Sequence, residues 1–268
     1  MIRKNNQSGQ IALIALLVLT VATTVGLSLV ARSTTDVSVT RNIEESSRAF
    51  SAAEAGIEEA LKTGVGSSGT IDSSLGITYS VMPVPVAGGV GNPFVFPQPT
   101  LKEDTETVWL VNHDPATGMI IETPTYTANT ITVCWGGSPA PAVVVSILYK
   151  TGVSYRVAKA AYDPDTSRTP PNNFSGATNG GCTANTAYKA TINFPGLGIN
   201  PDPDILIALR IRPVYNNAQI AVQPAQVLPV QGNNIESVGK AGADVNRKIV
   251  VYQQYRAPAS IFDYAVYS

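Results

Sequence analysis

The chain has 268 residues, enough for one or two cored domains, and a net charge of -1 from 18 basic and 19 acidic side chains. That balance gives no basic footprint for nucleic acid. Charged residues make up only 14% of the chain, and with one histidine and two cysteines a four-ligand zinc site lacks donors.

In chain order, the first ten residues are polar and carry Arg3 and Lys4. Ile11 to Ala31 then run 21 positions without a charge. A helix of that length spans about 30 Å, the thickness of a bilayer's hydrocarbon core. Arg3 and Lys4 precede the span, which predicts a cytoplasmic amino terminus and an exported remainder. An ordinary signal peptide fits poorly, because the apolar run is too long and Leu29-Val30-Ala31 lacks the small-residue pattern of a cleavage site. Within the span, Thr20, Thr23, Thr24 and Ser28 carry hydroxyls, and Gly26 weakens the helix by about 1 kcal/mol relative to Ala. Small residues of this kind also let membrane helices approach one another.

The helical pattern continues beyond the lipid. Ile43, Ser46, Phe50, Ala53, Ile57 and Ala60 recur at spacings of 3 and 4, predicting a seam on one face. Arg41, Glu44, Glu45, Arg48, Glu54, Glu58 and Glu59 carry the polar surface, with Glu44 and Arg48 at the favourable i, i+4 separation. No proline occurs before Pro83, and Gly64, Gly66 and Gly69 end the pattern. One helix is therefore expected from about Gln10 to Leu61, with Ile43, Phe50, Ala53 and Ile57 packing under a sheet.

The short basic leader ending in Gly9, the apolar span directly after it and the amphipathic continuation resemble a type IV prepilin. Residues 41–61, RNIEESSRAFSAAEAGIEEAL, resemble the amino-terminal module of certain minor pilins, through the AF-x-AAEAG run from Ala49 to Gly56. The resemblance covers residues 3–61. It implies cleavage after Gly9 by a prepilin peptidase, N-methylation of Gln10, and packing of the mature helix against other pilin-like subunits. It also implies a domain facing outward from a filament, with the pilus assembly machinery as a partner and no cofactor. Two positions depart from major pilins. The mature chain would begin with Gln10 instead of Phe or Met, and its fifth residue is Ile14 instead of Glu. In the family that Glu is thought to pair with a neighbour's amino terminus, and relatives without it are associated with minor, priming or tip positions.

After Gly69 the sequence is rich in turns and β-formers, which predicts an α+β chain: the long helix, then antiparallel sheet and β-sandwich. Residues 142–149 are apolar on both faces and read as a buried strand, returning over 153–160 after Thr151-Gly152. Residues 205–212 alternate Ile205, Ile207, Leu209 and Ile211 with Arg210 and Arg212, and Asn216-Asn217 is read as a hairpin turn into 219–223. Further strands are expected near 107–112, 118–122, 130–135 and 188–194. The Pro- and Gly-rich stretch at 83–99 and the stretch 229–234 are read as junctions. The expected organisation is a leader at 1–9, membrane helix at 10–31 and amphipathic helix at 32–62. Flanks at 70–98 and 231–268 form a sheet over the helix, and 99–230 is an inserted sandwich.

Cys134 and Cys182 are expected to form a disulfide outside the membrane. The two Asp-Pro-Asp runs, 163–165 and 202–204, read as solvated turns, with a surface calcium site as the alternative. His113 has no nucleophile motif to serve, and no phosphate-binding loop occurs. Trp109, Trp135 and the tyrosines suit core and cross-strand packing, with a sugar platform as the alternative. The aromatic run Phe262, Tyr264, Tyr267 is expected to pack on the domain. Function is therefore read as structural and not enzymatic, at the cytoplasmic membrane and cell surface. The alternative is a permanently anchored adhesin or carbohydrate-binding domain that is never assembled.

Overall fold

A computed structural model describes residues 8–115, 117–168, 171–242 and 244–261, with side chains from residue 11 onward. Arg3, Lys4 and the run Phe262, Tyr264, Tyr267 lie outside the described residues. The chain divides into two compact units, residues 1–82 with 236–250, and residues 83–235 with 251–268. The first unit begins with one unbroken helix, α1 (Ser8–Thr63), of 56 residues. At 1.5 Å per residue it is about 84 Å long. It stops at Gly64, whose φ of 72° is the left-handed conformation that lets its N–H turn back to the Ala60 carbonyl at 2.8 Å.

The helix packs on a four-stranded sheet of order β1-β2-β13-β14, from β1 (Ser67–Asp72), β2 (Ile77–Val86), β13 (Gly232–Ala241) and β14 (Val245–Gln254). The two chain flanks thus meet in one sheet, β2 beside β13, with Lys248 and Glu236 paired at 2.5 Å.

The second unit is a β-sandwich of two five-stranded sheets. One has the order β3-β12-β5-β10-β9: β3 (Phe94–Val95), β12 (Gln219–Pro224), β5 (Thr130–Gly136), β10 (Tyr188–Asn193) and β9 (Thr178–Asn179). The other has the order β4-β11-β6-β7-β8: β4 (Glu106–Trp109), β11 (Ile205–Val214), β6 (Ala142–Thr151), β7 (Ser154–Asp163) and β8 (Ser175–Gly176). Pairing is antiparallel apart from the short β7–β8 contact. The core lies between the sheets, where Val133, Trp135 and Ile220 meet Val145, Ile147, Leu209 and Ile211. Two of its aromatic polar atoms are served: Trp135 Nε1 donates to the Pro141 carbonyl at 2.8 Å and the Tyr126 hydroxyl donates to the Thr130 carbonyl at 2.7 Å.

Three expectations change, while the sheet over the helix draws its strands from residues 67–86 and 232–254. Residues 205–223 are not a hairpin: β11 and β12 belong to different sheets, and Asn216-Asn217 carry the chain between them. The alternation along β11 breaks at a bulge between Leu206 and Ala208, so Leu209 and Ile211 face the core while Ile205 and Ile207 pack on the opposite face with Trp109 and Val111. Residues 118–122 form no strand, only an isolated bridge from Ile120 to His113. The 142–160 hairpin does form, with Thr151 opposite Ser154 and Gly152 at φ 56°.

Candidate assembly surface on the amino-terminal helix

The apolar half of α1 presents side chains to its surroundings all round. Ile11 is 69% exposed and Ile14 54%, with Leu13, Leu16, Leu17, Leu19 and Val21 similarly open. By length and composition this is the one helix among the described residues that can cross a membrane. The span leaves no hydroxyl donor of its threonines dangling: Thr20, Thr23 and Thr24 each donate to a carbonyl three residues back at 2.8–2.9 Å. That is the arrangement a hydrocarbon surrounding requires. Gly26 meets nothing within 4 Å, so an open notch remains on the helix surface there. Ala31 closes the uncharged run, and its carbonyl accepts from both Thr34 and Thr35 at 2.9 Å. Gly9 and Gln10 lie in the first turns of the helix backbone.

In the second half the faces divide by size more than by hydrophobicity. Ala49, Ala52, Ala53, Gly56, Ile57 and Ala60 are buried. Gly239 of β13 shows why: a Cβ there would run into the Ala49 carbonyl oxygen and the Ala53 nitrogen, so strand backbone rests directly on helix backbone. A Cβ on Gly56 would likewise strike Ser237 and the Tyr79 ring, so the AAEAG run supplies the clearance the sheet needs.

This corrects the expected seam. Ala53 and Ile57 do pack on the sheet, but Ile43 is 65% exposed and Phe50 is 48% exposed, turned away from it. The close approach is at Ala49 and Ala53, where the strand backbone at Gly239 leaves no room for a larger side chain, while Ile57 one turn on is still buried. Ile43 and Phe50 are seven residues apart on the outer face, flanked by the i, i+4 ion pairs Arg41–Glu45 at 2.9 Å and Arg48–Glu44 at 2.5 Å.

The remaining candidates lie in the second unit. Cys134 and Cys182 are bonded, with Cα atoms 5.7 Å apart and Cys134 fully buried. Asp163, its carboxylate fully buried, accepts from Arg168 at 2.7 and 2.9 Å and from Asn172 at 2.7 Å. Burial pushes the Asp163 carboxyl up, but these donors and the guanidinium charge together outweigh burial and hold it below the usual range. In the other Asp-Pro-Asp run, Asp204 accepts from Thr151 and from the Asn200 N–H, closing a turn. No group of three or more His, Cys, Asp or Glu suited to a metal occurs among the described residues. His113 stacks on Tyr255 at 3.9 Å with Trp109 edge-on at 4.8 Å, and desolvation lowers its pKa. It belongs to an aromatic packing cluster with Trp109 and Tyr255. Trp135 is fully buried and Trp109 is 8% exposed, so neither ring forms an open sugar platform.

No known protein family, curated protein or solved structure matches the chain.

Proposed function

We propose that this chain is a minor pilin-like subunit, built into or initiating a type IV pilus or a related secretion pseudopilus after its leader is removed at Gly9. The observation that carries the reading is the division of faces along α1. One unbroken rod is apolar all round in its first half, and in its second half it buries alanines and glycine under a sheet while leaving Ile43 and Phe50 outside. A mere anchor needs only the first half. Two large apolar side chains held outward on a rigid helix, edged by ion pairs, suit lateral packing against other helices. The prepilin-like leader and the AF-x-AAEAG run support the same reading.

Ile14 sits where a shaft subunit would carry a glutamate. A subunit lacking that carboxylate cannot neutralise a neighbour's amino terminus inside hydrocarbon, where an unpaired charge costs several kcal/mol. This favours a minor, priming or tip position. The test is mass spectrometry of the amino terminus of native protein. A chain beginning at N-methylated Gln10 supports the proposal, and a membrane pool retaining Met1 removes it in favour of a permanently anchored surface domain.

A further inference from the structure

The exposed stripe of α1 that holds Ile43 and Phe50 continues at both ends into charges. Arg32, Asp36, Glu54, Glu58 and Lys62 are all exposed. Among the described residues none of these five charged groups has a hydrogen-bond or ion-pair partner, unlike Arg41, Glu44, Glu45 and Arg48 beside them. Glu54 and Glu58 are like charges at the i, i+4 separation, toward the negative end of the helix dipole, and both features destabilise a lone helix. At about 100° per residue, Glu54 lies about 40° and Glu58 about 80° to one side of Phe50. Two copies lying side by side in register would set these acids against each other.

The open surface at Gly26 offers a different register. Gly26 is the one glycine of the apolar span, and Phe50 stands 24 residues beyond it. Sliding a parallel copy by that interval, about 36 Å, brings its Gly26 level with Phe50 of the first copy. The same slide sets Ala15 level with Val39 and Leu19 level with Ile43. It places Arg32 level with Gly56, midway between Glu54 and Glu58, and Asp36 level with Ala60, two residues short of Lys62. The angles agree with the levels. Arg32 and Asp36 lie about 120° and 80° from Gly26, in the sense opposite to that of Glu54, Glu58 and Lys62 from Phe50. In parallel helices that face each other, opposite senses put these groups on the same flank. Each charge then meets its opposite, and the Phe50 ring enters the position of the span that has no side chain.

We infer that the occupant of the outer stripe of α1 is the apolar span of a second copy of this chain, displaced by about 24 residues, with Phe50 of one copy at Gly26 of the next and Arg32 between Glu54 and Glu58. The inference rests on the assembly reading above. A displacement of about 36 Å exceeds the roughly 30 Å of a hydrocarbon core, so the displaced span lies clear of the bilayer, with Ile43 and Phe50 in place of lipid.

Cells that make two full-length variants together, Ala22→Cys and Ser47→Cys, test it. The register puts Ala22 of the displaced copy level with Ser46, one residue from Ser47 and on the same flank. Mild oxidation of sheared filaments, followed by peptide mass spectrometry, should show a 22–47 disulfide between chains that begin at Gln10. Arg32→Glu in the Ala22→Cys chain should cut that link by about fivefold, and Glu54→Arg with Glu58→Arg in the Ser47→Cys chain should restore it. Chains that begin at Gln10 but lack the 22–47 link overturn this inference and leave the assembly reading standing. So does a 22–22 link as the main product, capture of a different protein at position 47, or a charge swap that restores nothing. Chains that retain Met1 throughout overturn the assembly reading itself, and this inference with it.

Discussion

Replacing Ala53 by leucine should damage the first unit far more than removing the large apolar side chains nearby. Ala53 is fully buried, and a Cβ on Gly239 would already collide with its backbone nitrogen and with the Ala49 carbonyl. A leucine there adds three carbons where strand backbone lies on helix backbone and no flexible side chain is present to give way. Overpacking costs typically 1–3 kcal/mol, and this site belongs at the upper end, about 3 kcal/mol. Phe50, 48% exposed, has only about half of a phenylalanine's burial to lose. Phe50→Gln should therefore cost under about 1 kcal/mol in the unassembled chain. Native-state hydrogen exchange of the helix amides over residues 41–63, in detergent, separates the two. At 1.4 kcal/mol per tenfold, Ala53→Leu should accelerate exchange about a hundredfold and Phe50→Gln less than about fivefold. Equal acceleration by both, or none by Ala53→Leu, would refute the assignment of the small-residue face to the sheet.

Gly9→Leu should leave the leader attached and keep the protein in the membrane pool at its full mass, read by intact-mass spectrometry. Phe50→Gln, with its stability nearly intact, should still reduce recovery of the protein in sheared filament fractions. Replacing both Cys134 and Cys182 by alanine releases a loop of sequence separation 48, which costs about 4 kcal/mol in the chain-entropy model. Calorimetry should show the sandwich transition lowered by roughly 8–16 °C, and a shift within error would mean the unfolded state is constrained by something else. For Asp163 the folded pKa is depressed, so the stability it contributes is present above its unfolded pKa and is lost as pH falls through its lower folded pKa. Asp163→Ala should cost about 3 kcal/mol at neutral pH, as expected when one partner of a buried pair is removed, and should flatten the acid limb of the stability–pH curve. An unchanged acid limb would place the pH sensitivity elsewhere.

How far the sequence disclosed the fold depended on whether the deciding force was local. The single rod from Ser8 to Thr63 is legible because an uncharged run and a 3–4 spacing with no proline admit little else. The buried strand at 142–151 and its return were equally plain, because apolar residues on both faces and a Gly152 turn are local signals. The hairpin read into Asn216-Asn217 failed because nothing within those residues records that β11 pairs with β4 and β6 while β12 pairs with β3 and β5. The bulge at Leu206–Ala208 was hidden for a related reason. Ile205 and Ile207 find a second apolar cluster on the outer face, so an unbroken run of isoleucines looked like one stripe and is two. On the helix, the 3–4 spacing puts Ile43 and Phe50 in one seam with Ala53 and Ile57, whereas the close backbone approach at Gly239 keeps only Ala53 and Ile57 under the sheet, beside Ala49, Ala52 and Gly56.

That last inversion bears on function. A sheet held off the helix by large side chains would leave room for Ile43 and Phe50 to turn inward, and the outer face would then be polar. Because Ala49, Ala52, Ala53 and Gly56 bring the sheet into backbone contact, that side of the helix has no space for a phenylalanine ring. The bulky residues are driven outward by the same packing that stabilises the unit. An exposed isoleucine and phenylalanine cost the free subunit solvation energy, which is recovered only when another apolar surface covers them. The small-residue run therefore does two things with one set of side chains: it seats the sheet, and it leaves Ile43 and Phe50 on the opposite face, where the proposed assembly would use them. A variant that restored bulk inward, such as Ala53→Leu, should weaken the unit and disturb the outer stripe together, whereas Phe50→Gln should affect only the latter.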